Sequence, residues 1–104
     1  MIAEIADFKV EPQKHDEFGR ALTQAADTVL SKAQGYRGHS ILACIETPGR
    51  YVLQVLWDSV EDHTRGFRES PAFAQWRALV GPYFAEPPHV EHFELLGQAP
   101  VDTR

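Results

Sequence analysis

Apolar and polar residues alternate from Ile2 to Val10, with Ile5 on one face and Ala6, Phe8 and Val10 around it, which predicts a strand. Glu11-Pro12 breaks it, and Pro12 suits a first helical turn, where its missing N–H is not needed. Phe18, Leu22, Ala25, Val29 and Ala33 then recur at helical spacing. Asp16, Arg20, Gln24, Asp27 and Lys32 take the other faces, so the spacing predicts one long amphipathic helix stopped near Gly35. A second strand is expected within Tyr36 to Glu46, centred on Ser40 to Ile45. Thr47-Pro48-Gly49-Arg50 reads as a turn, and Tyr51 to Trp57 as a third strand. Ser59 and Asp62 have capping-box spacing at the start of a short helix, whose inner face is Val60, His63, Thr64 and Phe67. Ser70-Pro71 opens another helix, with Phe73, Trp76, Val80 and Tyr83 on one stripe and Pro82 marking a break. Val90 to Leu96 is the last strand.

The predicted order is β-α-β-β-α-β with the second helix in two pieces. It is a split βαβ, ferredoxin-like α+β arrangement: a four-stranded antiparallel sheet with its helices on one face. Residues 1–96 are expected to form this single domain, and 97–104 a polar C-terminal tail without periodicity. The third strand, YVLQVLW, is apolar at nearly every position, which calls for cover on both faces. One helical layer covers only one of them. A second copy of the chain is the economical cover for the other, giving a homodimer in the form of a dimeric α/β barrel.

Pairing the hairpin symmetrically across Thr47 to Arg50 puts Leu42 and Cys44 on a face with Leu53, Val55 and Trp57. That face would point at the helices and line a pocket. His39, Ile41, Ala43 and Ile45 would then share the opposite, dimer face with Val52, Gln54 and Leu56. A one-residue shift exchanges the two sets.

Composition narrows the classes. Ten Lys and Arg against fifteen Asp and Glu give a net charge of -5, without the basic cluster a nucleic-acid binder needs. No apolar run approaches the ~20 residues that span a bilayer. The N-terminus carries an acid where a signal peptide would be basic, so a cytoplasmic protein is expected. Cys44 is the single cysteine, which excludes an internal disulfide, and a strand thiol is ordinarily an inert packing group. His89 and His92 sit three apart on a strand and point to opposite faces, and no Cys/His set has zinc spacing, so no metal site is expected.

Several stretches resemble the antibiotic biosynthesis monooxygenase family. They are Gly35-Tyr36 leading to Gly38-His39, Pro48-Gly49-Arg50-Tyr51, and Trp57-Asp58-Ser59-Val60-Glu61-Asp62-His63. Phe67-Arg68-Glu69-Ser70-Pro71-Ala72-Phe73 and Pro88-His89-Val90-Glu91-His92-Phe93 continue the likeness, which runs over about residues 2 to 96. The resemblance is more specific for fold than for reaction, because the superfamily holds cofactor-free oxygenases of aromatic polyketides, haem-degrading enzymes, quinol oxygenases and members without known activity.

The resemblance implies a site. A tryptophan at the place of Trp57 sits, in such oxygenases, in a pocket between sheet and helices where a carbon acid is deprotonated and its carbanion meets oxygen; a tryptophan there also serves simply as core. His63 lies about where a phenol stands in some of them, and would act as base or anion stabiliser. Arg77 lies near the place of an anion-stabilising arginine. Leu42, Cys44, Leu53 and Val55 would line the substrate pocket, with Phe67, Phe73, Trp76 and Tyr83 as an aromatic wall. No cofactor is implied, and the ligand would be a small aromatic molecule. Two departures stand out. Leu53 and Val55 occupy positions where related polyketide oxygenases carry an asparagine. Ala6-Asp7 and Trp76-Arg77 replace the asparagine and axial histidine of haem-degrading relatives. Two functions follow: a cofactor-independent monooxygenase of an aromatic or quinol-like substrate, or a non-catalytic, ligand-binding or stress-related dimer of the same fold.

Overall fold

The computed structural model describes residues 1–102; Thr103 and Arg104, the end of the expected tail, lie outside the described residues. Strand β1 (Ile2–Lys9) leads through a 3-10 turn at Pro12–Lys14 into helix α1 (His15–Thr28). Asp16 and Glu17 sit in the first turn of α1, where negative charge meets the positive end of the helix dipole. Phe18, Leu22, Ala25 and Ala26 form its buried stripe. The helix ends at Thr28, earlier than its apolar spacing predicts. Thr28 and Ser31 hydroxyls bond back to the carbonyls of Gln24 and Asp27, at 2.7 and 2.6 Å. The chain tightens there into a 3-10 turn, Leu30–Lys32, which drops Leu30 into the core at 2% exposure.

Strands β2 (Tyr36–Ala43) and β3 (Arg50–Trp57) form the hairpin. A π-helical turn at Asp62–Phe67, helix α2 (Pro71–Val80) and a 3-10 turn at Gly81–Tyr83 follow, and β4 (His89–Glu94) closes the sheet. The break at Pro82 falls where its missing N–H predicts it. The sheet is antiparallel throughout, in the order β2-β3-β1-β4. This is the ferredoxin-like α+β fold, with its helices on one face. Residues 95–102 carry no helix or strand.

One face of the sheet is buried by the helices. Ala6 and Phe8 of β1 and Tyr51, Leu53, Val55 and Trp57 of β3 are all at most 5% exposed there. Phe18, Leu22 and Val80 pack down on them from the helical layer. The other face has Ile5, Val52 and Leu56 half-buried, and Leu42 and Phe93 exposed.

The hairpin corrects the symmetric pairing expected across Thr47 to Arg50. Ala43 pairs with Tyr51, Ile41 with Leu53 and His39 with Val55. Ile41, Ala43 and His39 therefore face the helices, and Leu42, paired with Val52, faces away. Cys44 lies beyond the end of β2, where its N–H donates to the Arg50 carbonyl. Tyr51 pairs with Ala43 where symmetric closure would pair it with Glu46, a slip of three residues, and an odd slip turns every side chain over. An irregularity between Tyr36 and Gly38 reverses the alternation again, so Tyr36 and Trp57 still meet on the helix side.

Candidate functional site

Glu4 sits in the middle of β1 with the parity of Ala6 and Phe8, so its carboxylate points into the helix-covered side and is 6% exposed. An acid is rarely buried so deeply without partners. The Trp57 indole N–H, from the end of β3, donates to Glu4 Oε1 at 3.0 Å. His63 Nε2 lies 3.3 Å from the same oxygen. Burial pushes the Glu4 carboxyl up to about 6, against the pull of the Trp57 hydrogen bond and the Arg68 charge.

His63 comes from the π-helical turn. The Arg68 N–H reaches back five residues to the His63 carbonyl at 2.9 Å, the widened bond of a π turn. Such turns are rare and frequent at functional sites. Here it buries His63 and Phe67 together. Ser59 anchors the segment: its hydroxyl accepts the Asp62 N–H and donates to Asp62 Oδ2, as the capping spacing predicts. The His63 ring stacks on Trp57, with centroids 5.5 Å apart. Its Nδ1 is 2.8 Å from Nε2 of His92, which β4 places directly across from Glu4. Burial first, then the charge of Arg68 and the neighbouring His92, hold His63 down at about 4. At neutral pH the ring is therefore uncharged. In the tautomer that carries its proton on Nε2, facing the carboxylate, His63 Nδ1 accepts from His92.

Of these groups, Glu4 and His63 line a cavity of about 560 Å³ between the sheet and the α2 region. Its walls are mostly apolar: Phe8, Leu53, Phe67, Phe73, Trp76, Phe84 and the Pro87-Pro88 segment among them. Glu4, His63, Arg68, Arg77 and Glu86 are its polar and charged residues. An apolar cavity with a few convergent polar groups is the usual form of a small-molecule site.

The chain belongs to the antibiotic biosynthesis monooxygenase family. Its family model matches residues 1–79. YczJ, an uncharacterized protein of Bacillus subtilis (strain 168), is 38% identical over 94 residues, covering 90% of this chain and 98% of the relative. A Bordetella bronchiseptica structure assigned to antibiotic biosynthesis monooxygenases superposes with a TM-score of 0.84 at 40% identity, covering 91% of this chain and 96% of that one. A cofactor-independent oxygenase from Streptomyces nogalater, SnoaB, shares the fold at a TM-score of 0.75 and 17% identity, covering 96% of this chain and 97% of that one.

In this antibiotic biosynthesis monooxygenase relative, His63, Arg77, Leu53, Phe67, Phe73 and Trp76 all line the cavity. Trp57 does not; it is fully buried behind Glu4 and His63 and reaches the cavity only through them. Val55 faces the helices but is sealed in the core at 0% exposure. Tyr83 lies outside, its hydroxyl donating to Glu17 Oε2 at 2.5 Å. Leu42 and Cys44 are carried away by the hairpin register. Glu4, Arg68 and His92 were not among the expected site residues. The signal for Glu4 is a lone carboxylate in step with Ala6, Phe8 and Val10. His92 carried one too, through its parity with Val90.

Proposed function

We propose that the protein is a cofactor-independent monooxygenase of a small aromatic or quinol-like carbon acid, bound in the cavity between sheet and helices. The observation that carries this reading is the buried Glu4–Trp57–His63 cluster at the end of an aromatic-walled cavity. The family and the cofactor-independent oxygenase that shares the fold support it.

In the proposed reaction a substrate C–H loses its proton to the protein and its electron pair stays on the ring system as an enolate. The enolate gives an electron to O2, and recombination forms a C–O bond. The peroxide takes up a proton; loss of the second C–H proton and of hydroxide then leaves a ketone and water. Overall a CH2 and O2 become C=O and H2O. The protein's part is to hold the ring dry among Phe67, Phe73 and Trp76 and to stabilise the enolate, for which Arg77 and Arg68 are the cations on the cavity wall. Trp57 shapes the site by fixing Glu4.

The same reading includes a second copy of the chain on the outer sheet face. That face offers Ile5, Val52, Leu56, Leu42 and Phe93. Its ionised groups include Asp7 and Arg50, paired with each other at 2.8 Å.

The test is oxygen consumption by the purified protein with anthrones and quinols, in the presence of chelator. Uptake that persists with chelator is expected. Tight binding of these compounds without any uptake would favour the non-catalytic ligand binder, a reading that Leu53 and Val55 support by replacing the asparagine of polyketide oxygenases.

A further inference from the structure

We propose that Glu4, rather than His63, is the base that takes the substrate's proton, with His63 and His92 as positioning residues behind it. The assignment rests on the carbon-acid reading above and deepens it.

Three features carry it. The two groups that approach the Glu4 carboxylate, the Trp57 indole and His63 Nε2, both meet Oε1. Oε2 is left as the oxygen available to a ligand, and Glu4 itself lines the cavity. His63, by contrast, has both ring nitrogens engaged, Nε2 by Glu4 and Nδ1 by His92. Neither ring nitrogen is left without a polar neighbour from the protein. The third feature is charge: Arg68 lies on the cavity wall and acts on Glu4, His63 and His92 alike. An enolate oxygen placed against Arg68 would put the acidic C–H beside the carboxylate.

The step is a simple proton transfer. The substrate C–H bond breaks, its electron pair becomes the enolate, and the proton forms an O–H bond on Glu4 Oε2. No oxidant takes part in it. The ligand class that follows is an aromatic molecule bearing an acidic CH2 or CH next to a carbonyl.

Because the step precedes oxygen, it can be read without oxygen. An anthrone is incubated anaerobically with the protein in D2O, and deuterium uptake at its CH2 is followed by mass spectrometry. Wild-type protein is expected to accelerate exchange, and E4Q to lose at least ~100-fold of that acceleration. The wild-type rate should rise with pH around 6, where Glu4 ionises; the charged and titratable groups facing it are His63, His92, Arg68 and, farther along the cavity, Arg77 and Glu86. Trp57→Phe removes a hydrogen bond that favours the carboxylate, so that limb should move to higher pH, an effect mere loss of packing would not give. The Trp57→Phe arm also keeps the test open should E4Q fail to fold. Exchange by E4Q equal to wild type, or a pH limb that Trp57→Phe leaves in place, overturns the assignment. So does a wild-type protein that does not accelerate exchange. Exchange without oxygen uptake in air keeps Glu4 as the base and removes the oxygenase reading instead.

Discussion

His63 and His92 meet through their ring nitrogens, Nδ1 of one 2.8 Å from Nε2 of the other, and so tie the π-helical turn to the last strand. The contact needs at least one lone pair, so it tolerates one extra proton between the two rings poorly.

Acid should therefore weaken the fold through His63. An unfolded histidine titrates near 6.5, whereas the folded one is held at about 4. Between these values the unfolded chain binds more protons, so the contribution of His63 is complete above pH 6.5 and is lost as pH falls through 4. The shift corresponds to about 3 kcal/mol. Thermal melts at pH 7 and pH 4.5 should show a smaller acid loss for His63→Asn than for wild type. Parallel acid losses in the two proteins would contradict the buried neutral ring.

Glu4 works in the opposite direction. Its folded value of about 6 stands above the ordinary 4.5, so the folded chain binds the extra proton in that interval. Its stabilising share is present below 4.5 and is lost as pH rises through 6. Glu4→Gln keeps an oxygen for the Trp57 N–H and removes the charge. At pH 7 it should raise stability by up to about 2 kcal/mol, and at pH 4 it should leave stability nearly unchanged. Denaturant melts at both pH values check this.

Gly19 is required by Tyr51. A Cβ on Gly19 would overlap the Tyr51 hydroxyl, which donates to the His15 carbonyl at 2.8 Å. Tyr51 is packed against Phe18 and His15 and has little room to retreat. Gly19→Ala should destabilise by about 1–3 kcal/mol despite the better helix propensity of alanine. In a Tyr51→Phe background the cost should fall, since the overlapping oxygen is gone. Melts of the four proteins form a double-mutant cycle, and additive effects would rule out the contact as the cause.

Leu42 offers a test of the proposed dimer that is separate from folding. It is 48% exposed in the single chain, on the sheet face away from the cavity. If the proposed dimer forms through this face, Leu42→Glu should leave the melting temperature of the dissociated chain almost unchanged and raise the dissociation constant of that dimer at least ~10-fold. Sedimentation over a concentration series checks it; an unaltered dimer would move the interface elsewhere.

The strands and α1 were legible because their apolar positions keep one period. Phe18, Leu22 and Ala25 announce a helix face, and Tyr51 to Trp57 announces a buried strand. The facing of β2 was not legible. Ile41, Leu42 and Ala43 are all apolar or small, so the pattern accepts either face, and the choice is made by the loop at 44–49 and the irregularity near Gly38. His63 and Arg77 could be singled out through the resemblance to family oxygenases. Glu4 shares the parity of Ala6, Phe8 and Val10, but one acid in a strand reads as a solvent-facing residue until the strand order puts β1 between β3 and β4. Its partners come from residues 57, 63 and 92, which no local window joins.

The pairing of Glu4 with His92 also orders events in time. Translation delivers Glu4 early and His92 late, and Phe84, Pro88 and Val90 of the cavity wall shortly before it. A growing chain can bury α1 against β1 and β3 well before the remaining wall is made. The Glu4–His63–His92 cluster and the cavity wall are thus completed only when β4 pairs with the edge of β1. A chain stopped before β4 has a core and an unfinished cavity.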